Sequence, residues 1–267
     1  MLSGMHPYGR RELLLSGAAM LLGRKLFAQA APARESLIED VVTANHILAA
    51  QEIVDAFGHV SVRTAPGAAR YLISRSVAPA QVTAADIMEL DVDSKPVLAS
   101  DKRAVYRERF IHGEIYRVRP DVMSIVHCHA PALIPFGITK IPLRPVYHNS
   151  SFIGEGVPVF EIREAGGDTD MLVSTPALGK ALAKALGNKP AILMRGHGAV
   201  IVGKSIIEAV ARSVYLEINA RVQAEAMSMG ARATYLDEGE VKKRSEDADP
   251  YGRAWDLWKR QAAQGTR

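Results

Sequence analysis

Val122-Met123-Ser124-Ile125-Val126-His127-Cys128-His129-Ala130 is the stretch on which the reading of this chain turns. It is an apolar run that the pattern predicts to be a strand over Val122 to Cys128. Side chains alternate faces along a strand, so His127 and His129 point the same way and Cys128 points away from them. Two imidazoles on one face form a bidentate claw for a transition metal. A third, His197, lies remote in Arg195-Gly196-His197-Gly198, at a glycine-flanked turn, and completes a three-nitrogen set. Such a set leaves a coordination position open, as catalytic metal sites do. Unpaired imidazoles would be costly in so apolar a run, which argues against chance alternation.

Working outward, Ser36 to Phe57 carries apolar residues at helical spacing and is expected to be a helix stopped by Gly58. His59 to Arg63, Tyr71 to Ser74 and Ile87 to Asp91 read as strands, with Val97-Leu98 a further candidate. Residues 104 to 117 read as a helix closed by Arg119-Pro120. Ala130 to Gly167 is rich in loops and prolines. Thr175 caps a helix that enters on Pro176 and runs to Leu186. Ala191 to Met194 and Ala199 to Val202 are strands on either side of the Gly-His-Gly turn, and Ser205 to Met229 is a long helix. The last segment, Asp249 to Gln264, reads as partly helical and exposed. This order predicts an α/β protein, a three-layer α/β/α arrangement with a central, mainly antiparallel sheet covered by helices on both faces.

The 267 residues include 33 basic and 29 acidic ones. Residues 1–30 hold Arg10, Arg11, Arg24 and Lys25 against Glu12, so the rest of the chain is nearly neutral, which argues against a nucleic-acid partner. The single cysteine excludes an intrachain disulfide. Arg10-Arg11 opens a short apolar stretch, Leu13 to Gly23, followed by Ala28-Gln29-Ala30. It is too short to span a bilayer as a helix. Residues 1–30 therefore read as a twin-arginine signal peptide, with a mature start near Ala31, a periplasmic destination and no stable membrane insertion after processing. Without processing the protein would be cytoplasmic. The catalytic domain is expected over residues 31–240 and a tail over 241–267.

The histidine pair, the Gly-His-Gly turn and Glu108, eleven positions before Arg119-Pro120, together resemble the class II aldolase/adducin family over roughly residues 36–230. The resemblance implies a homotetramer with sites between neighbouring subunits. It implies metal ligation by His127, His129 and His197, and Glu108 as the acidic catalytic residue. One divalent ion per subunit is expected, zinc first, with manganese, cobalt or iron also compatible with three imidazoles.

Sugar-phosphate members hold phosphate on small residues. This chain has Gly58-His59, Ser76-Val77 and Tyr106-Arg107 at those places, which works against close backbone approach to a phosphate. Arg75 and Arg107 instead supply guanidinium groups suited to carboxylates, unless they are solvated surface residues.

The runs Gly58 to Arg63, Ile73 to Ser76, Glu108 to Tyr116 and Arg144 to His148 are similar to the decarboxylase branch. That branch acts on hydroxy-carboxy-muconic semialdehydes or dihydroxyphthalate-like acids. The resemblance implies a metal-dependent lyase that removes carbon dioxide from a carboxylated 2-oxo or 2-hydroxy acid through a metal-stabilised enolate. Glu108 would move the proton. Tyr147 or His148 would act as an acid across a subunit boundary. His59, Ser74, Arg75, Arg107 and His112 would bind substrate. An aldolase releasing an aldehyde, a non-catalytic adducin-like scaffold and a periplasmic binding protein are the competing readings.

Overall fold

The computed structural model describes residues 33–230, 232–244 and 251–265; the signal reading for residues 1–30 falls outside them. In chain order the elements are α1 (Arg34–Ala50), β1 (His59–Arg63), β2 (Arg70–Ser74), β3 (Ile87–Asp91), α2 (Phe110–Val118), β4 (Ser124–Cys128), α3 (Ile134–Ile138), β5 (Val159–Phe160), α4 (Ile162–Gly166), α5 (Pro176–Leu186), β6 (Ala191–Met194), β7 (Gly198–Gly203), α6 (Ile206–Ser228), α7 (Glu238–Arg244) and α8 (Gly252–Gln264). Seven strands form one sheet in the order β3-β2-β1-β4-β7-β6-β5. Every pairing is antiparallel except that of β5 with β6.

Strand alternation divides the core in two. Val60, Val62, Leu72, Val126, Cys128 and Ile201 face α1, α6 and α8. Tyr71, Ile73, Met88, Ile125, Val200 and Val202 face α2 and α5. The α/β/α layering with a mainly antiparallel sheet is as the sequence predicts. Cys128 is buried on the α1–α6 side, whereas His127 points to the other face with Ile125. No helix among the described residues is long and apolar enough to cross a membrane.

Capping fixes two helices at their expected starts. Thr175 Oγ1 accepts the Leu178 N–H, and Ser205 Oγ accepts the Glu208 N–H. Other boundaries differ. The first helix ends at Ala50, seven residues before Phe57. There Glu52, at φ 57°, donates its N–H to the Ala49 carbonyl, and the Ile53 N–H reaches the Leu48 carbonyl. This is a Schellman closure with a glutamate in the left-handed position. Gly58 has another purpose: at φ 95°, a Cβ there would lie 3.0 Å from the His127 carbonyl oxygen.

The expected helix over 104–117 is extended to Tyr106, passes through a 3-10 turn at Arg107–Arg109, and is α-helical only from Phe110. Val97-Leu98 does not extend the sheet as a strand, although the Val97 N–H bonds to the Glu89 carbonyl. The stretch from Ala130 to Gly167 contains α3, β5 and α4. The final segment is not exposed as expected: α8 is amphipathic and buries Trp255 and Trp258 against the α1–α6 layer.

Candidate metal centre and active site

β4 ends at Cys128, so His127 is delivered by the strand and His129 by the first residue beyond it. His197 comes from the turn between β6 and β7, where Gly196 takes φ 63°. Antiparallel pairing of β4 with β7, Cys128 opposite Ala199, brings the turn beside the histidine pair. The remaining member arrives on the 3-10 turn before α2. Glu108 sits there at φ −90°, ψ 18°, the bridge region in which many active-site residues are found. That kink turns Glu108 inward while Arg107 faces out.

The His129 Nε2 atom lies 3.1 Å from both His127 Nε2 and His197 Nε2. Glu108 Oε2 is 3.3 Å from His127 Nε2 and 3.5 Å from His197 Nε2. All four ligand atoms fall within 4.8 Å of one another. The far sides of two rings are fixed: His127 Nδ1 donates to the Ala199 carbonyl and His197 Nδ1 donates to the Met171 carbonyl, each at 3.1 Å. A neutral imidazole with its hydrogen on Nδ1 presents a bare lone pair at Nε2. The lone pairs of His127 and His197 therefore converge beside the Glu108 carboxylate, with His129 Nε2 3.1 Å from both ring nitrogens. This donor set fits a divalent cation, with the backbone carbonyls orienting the ligand rings.

One short segment supplies much of that order. Asp170 pairs with Arg107 at 2.7 Å, Met171 offers its carbonyl to His197, and the Val173 N–H is donated to Glu108 Oε1 at 2.9 Å. Met171 adopts φ 66°, an unusual value for a residue with a side chain. Burial alone would raise the Glu108 carboxyl; the neighbouring His127 and His197 outweigh it and hold Glu108 well below the ordinary carboxylate range. Burial lowers His129 to about 4, helped by His127 and His197. For His197 burial acts downward too, but Glu108 prevails and raises it, so this Nε2 takes up a proton toward the carboxylate more readily than a free imidazole does, at the place a bound cation would occupy.

A cavity of about 480 Å³ opens on this cluster, walled by Phe57, His59, Val77, Tyr106, Arg107 and His129. The Tyr106 hydroxyl donates to the Val77 carbonyl and bonds to Ser74 Oγ, both at 2.9 Å, so Ser74 holds the wall from behind. Arg75 is engaged by Asp86 at 2.6 Å and is not part of the lining. Arg107 stands at the mouth. His112 is fully buried behind His59. Tyr147 and His148 lie elsewhere, packed edge-to-face on each other, with the Tyr147 N–H bonded to Asn219 on α6. They do not line this chain's cavity.

Sequence reading set Tyr106 among the bulky residues at the phosphate-holding positions, in keeping with its place in the wall, but it missed the Asp170–Val173 segment entirely. Apart from the Asp170 carboxylate, that segment acts through the Met171 carbonyl and the Val173 N–H, backbone atoms that carry no residue-type signal. Ser61 and Tyr116, also missed, did leave such a signal: Ser61 is two residues from His59, and Tyr116 one helical turn from His112.

The profile of the family described as Class II Aldolase and Adducin N-terminal domain matches residues 39–224. The chain is 34% identical over 252 residues to Decarboxylase tropJ of Talaromyces stipitatus, covering 85% of this chain and 94% of that protein. It is 28% identical over 211 residues to 3,4-dihydroxyphthalate decarboxylase of Rhodococcus jostii, covering 75% and 84%. Among solved structures it resembles an L-fuculose 1-phosphate aldolase with a TM-score of 0.69 at 20% identity, covering 81% of this chain and 98% of that one; this likeness is one of fold.

Proposed function

The chain belongs to the class II aldolase and adducin family, and from that premise we propose that it is a divalent-metal-dependent carbon–carbon lyase that decarboxylates a carboxylated 2-oxo or 2-hydroxy acid. The observation that carries the reading is the convergence of three imidazole Nε2 atoms beside Glu108 in a cavity with an arginine at its mouth. Two relatives named as decarboxylases support loss of carbon dioxide over release of an aldehyde. A scaffold has no need of four converging ligand atoms.

Decarboxylation breaks the bond to the carboxylate, leaves the electron pair on the substrate, and requires a proton at the vacated carbon. His127, His129 and His197 would hold the metal, with Glu108 beside it. A divalent ion there supplies Lewis acidity toward an oxygen of the substrate. The protein residues do the rest. Arg107 and His59 orient the substrate's carboxylates. Glu108, ionised and fixed by the Val173 N–H, has no proton of its own to give. From a 2-hydroxy substrate, or the enol form of a 2-oxo one, it first takes the hydroxyl proton and then delivers it to the carbon that carbon dioxide leaves. Tyr106 and Val77 give the cavity an apolar wall beside the reacting centre.

Zinc is the first expectation for the ion. A homotetramer in which Tyr147 and His148 serve a neighbouring subunit's cavity is part of the proposal, tested by sedimentation. So is periplasmic export by the Arg10-Arg11 leader. A protein start at Ala31 in cells supports export, and an intact Met1 overturns it.

The decisive experiment is NMR product analysis. Zinc- or manganese-loaded protein is given carboxylated 2-oxo, 2-hydroxy-dienoic and dihydroxyphthalic acids, with a chelator control. Chelator-sensitive carbon dioxide release without an aldehyde is expected. An aldehyde product would move the protein to the aldolases.

A further inference from the structure

Behind the cavity runs a line of buried hydrogen bonds. Alternation along β1 turns His59, Ser61 and Arg63 toward α2, which presents His112 and Tyr116 one turn apart. His59 Nδ1 is 2.6 Å from His112 Nε2, and His112 Nδ1 is 2.6 Å from Ser61 Oγ. Ser61 Oγ is in turn 2.8 Å from the Tyr116 hydroxyl. None of the four is more than 3% exposed. His59 closes the line at the cavity wall, and its Nε2 has no hydrogen-bond partner among the described residues.

With both rings neutral, each link carries one hydrogen, so the whole line runs one way or the other. If it runs outward, Tyr116 donates to Ser61, Ser61 to His112 Nδ1, and His112 Nε2–H to His59 Nδ1. His59 then shows an N–H at Nε2. If it runs inward, His59 Nε2 is a bare lone pair and the Tyr116 hydroxyl must find another acceptor. The one available is the Met123 carbonyl at 3.5 Å, the limit of a useful hydrogen bond, against 2.8 Å to Ser61. The outward order satisfies every member of the line at short distance.

We infer that Tyr116, Ser61 and His112 are positioning residues that hold His59 as the neutral tautomer with its Nε2–H toward the cavity, a fixed donor for a carboxylate oxygen of the substrate. The carboxylate in this statement rests on the function proposed above; the tautomer does not. Burial pushes the Tyr116 phenol above its ordinary range, so the far end keeps its hydrogen and the line orients rather than conducts. A neutral donor recognises the oxygen without adding charge, leaving neutralisation to Arg107 at the mouth. Replacing Ser61 removes the link that tells the two ends of the His112 ring apart.

The test uses the full chain labelled with nitrogen-15 histidine, chelated and zinc-loaded, with long-range proton–nitrogen correlation spectra. Comparison with H59Q assigns the His59 signals. The expected pattern at pH 7.5 is a protonated Nε2 and a bare Nδ1, and its conversion to a tautomer mixture in S61A and in Y116F. A protonated Nδ1 in the wild-type protein, or an unchanged pattern in both variants, overturns the inference. Phthalate, an unreactive dicarboxylate, is then titrated in. It should move the His59 Nε2–H resonance, and S61A should weaken phthalate binding by the inverse of the Nε2–H fraction read from the same spectra, about twofold for an even mixture. A resonance that ignores phthalate refutes the donor role. If no carboxylated acid is turned over but the tautomer result holds, the proposed function fails and the positioning role stands.

Discussion

Replacing Gly198 by alanine should damage the centre without touching any ligand. Gly198 opens β7 directly after His197, and β7 lies against β4. A Cβ at this position would overlap the Cys128 carbonyl oxygen and lie 3.0 Å from the Cys128 carbonyl carbon and 3.1 Å from His129 Cα. All three are backbone atoms, so no side chain can swing aside. Reaching ordinary van der Waals separation needs a displacement on the order of 1 Å. It falls between two segments that each carry a histidine, in a cluster whose Nε2 atoms lie 3.1 Å apart. Overpacking of this kind costs about 1–3 kcal/mol. For a chain of this length that lowers the melting temperature by roughly 3–10 °C. Zinc affinity should fall by about 10–100-fold, as it does when ligand orientation is disturbed. Calorimetry of the chelated protein reads the first effect, and zinc competition against a fluorescent chelator reads the second. G239A, in the exposed helix α7, adds the same methyl group next to a flexible side chain only and should not lower the melting temperature. A G198A protein with wild-type melting and wild-type zinc affinity would refute the argument.

E108Q retains an acceptor for the Val173 N–H but cannot shuttle a proton. Turnover should drop by about 10²–10⁴-fold with zinc stoichiometry unchanged by mass spectrometry, and undiminished turnover would remove Glu108 from the chemistry. Asn219 accepts the Val146 and Tyr147 N–H groups and donates to the Arg144 carbonyl, so N219A should cost roughly 2–4 kcal/mol in urea unfolding; a loss below 1 kcal/mol would contradict that accounting. The acid side of the stability curve should reflect His112, which burial first, and then the charge of His127, lowers from 6.5 to about 3. Its folded value is depressed, so the unfolded chain binds the proton more readily. The stability gained by keeping His112 neutral is complete above about pH 6.5 and is lost as pH falls toward 3, at up to about 1.4 kcal/mol per pH unit. In chelated protein, H112Q should flatten urea midpoints between pH 6 and 4 relative to wild type; parallel curves would exclude this role.

The centre was legible in sequence because its signals are local. His127 and His129 announce themselves by strand alternation in an apolar run, and Thr175 and Ser205 mark helix starts by side-chain chemistry. What escaped is carried by backbone atoms or by distant partners. The first helix closes on Glu52 rather than a glycine, so its end left no composition signal and the apolar pattern of Ile53 and Val54 was read as continuing helix. Those two residues are indeed buried, but by the turn. Strand β5, two residues long and paired in parallel only with β6, is too short to show a period. The Met171 carbonyl and the Val173 N–H could belong to any residue type. The apolar face of α8 was present in the sequence as Trp255 and Trp258, yet its hydrophilic surroundings read as solvent-exposed tail.

The docking of α8 gives this protein a built-in optical reporter. The chain has two tryptophans, and both are in that helix, 6% and 8% exposed. Tryptophan emission therefore speaks for the seating of the last helix on the α1–α6 layer and is blind to events around the histidines. A red-shifted spectrum from a protein that still binds its metal would mean that the helix has lifted while the sheet beneath stays whole. An unshifted spectrum from an inactive variant would locate the damage on the opposite face of the sheet.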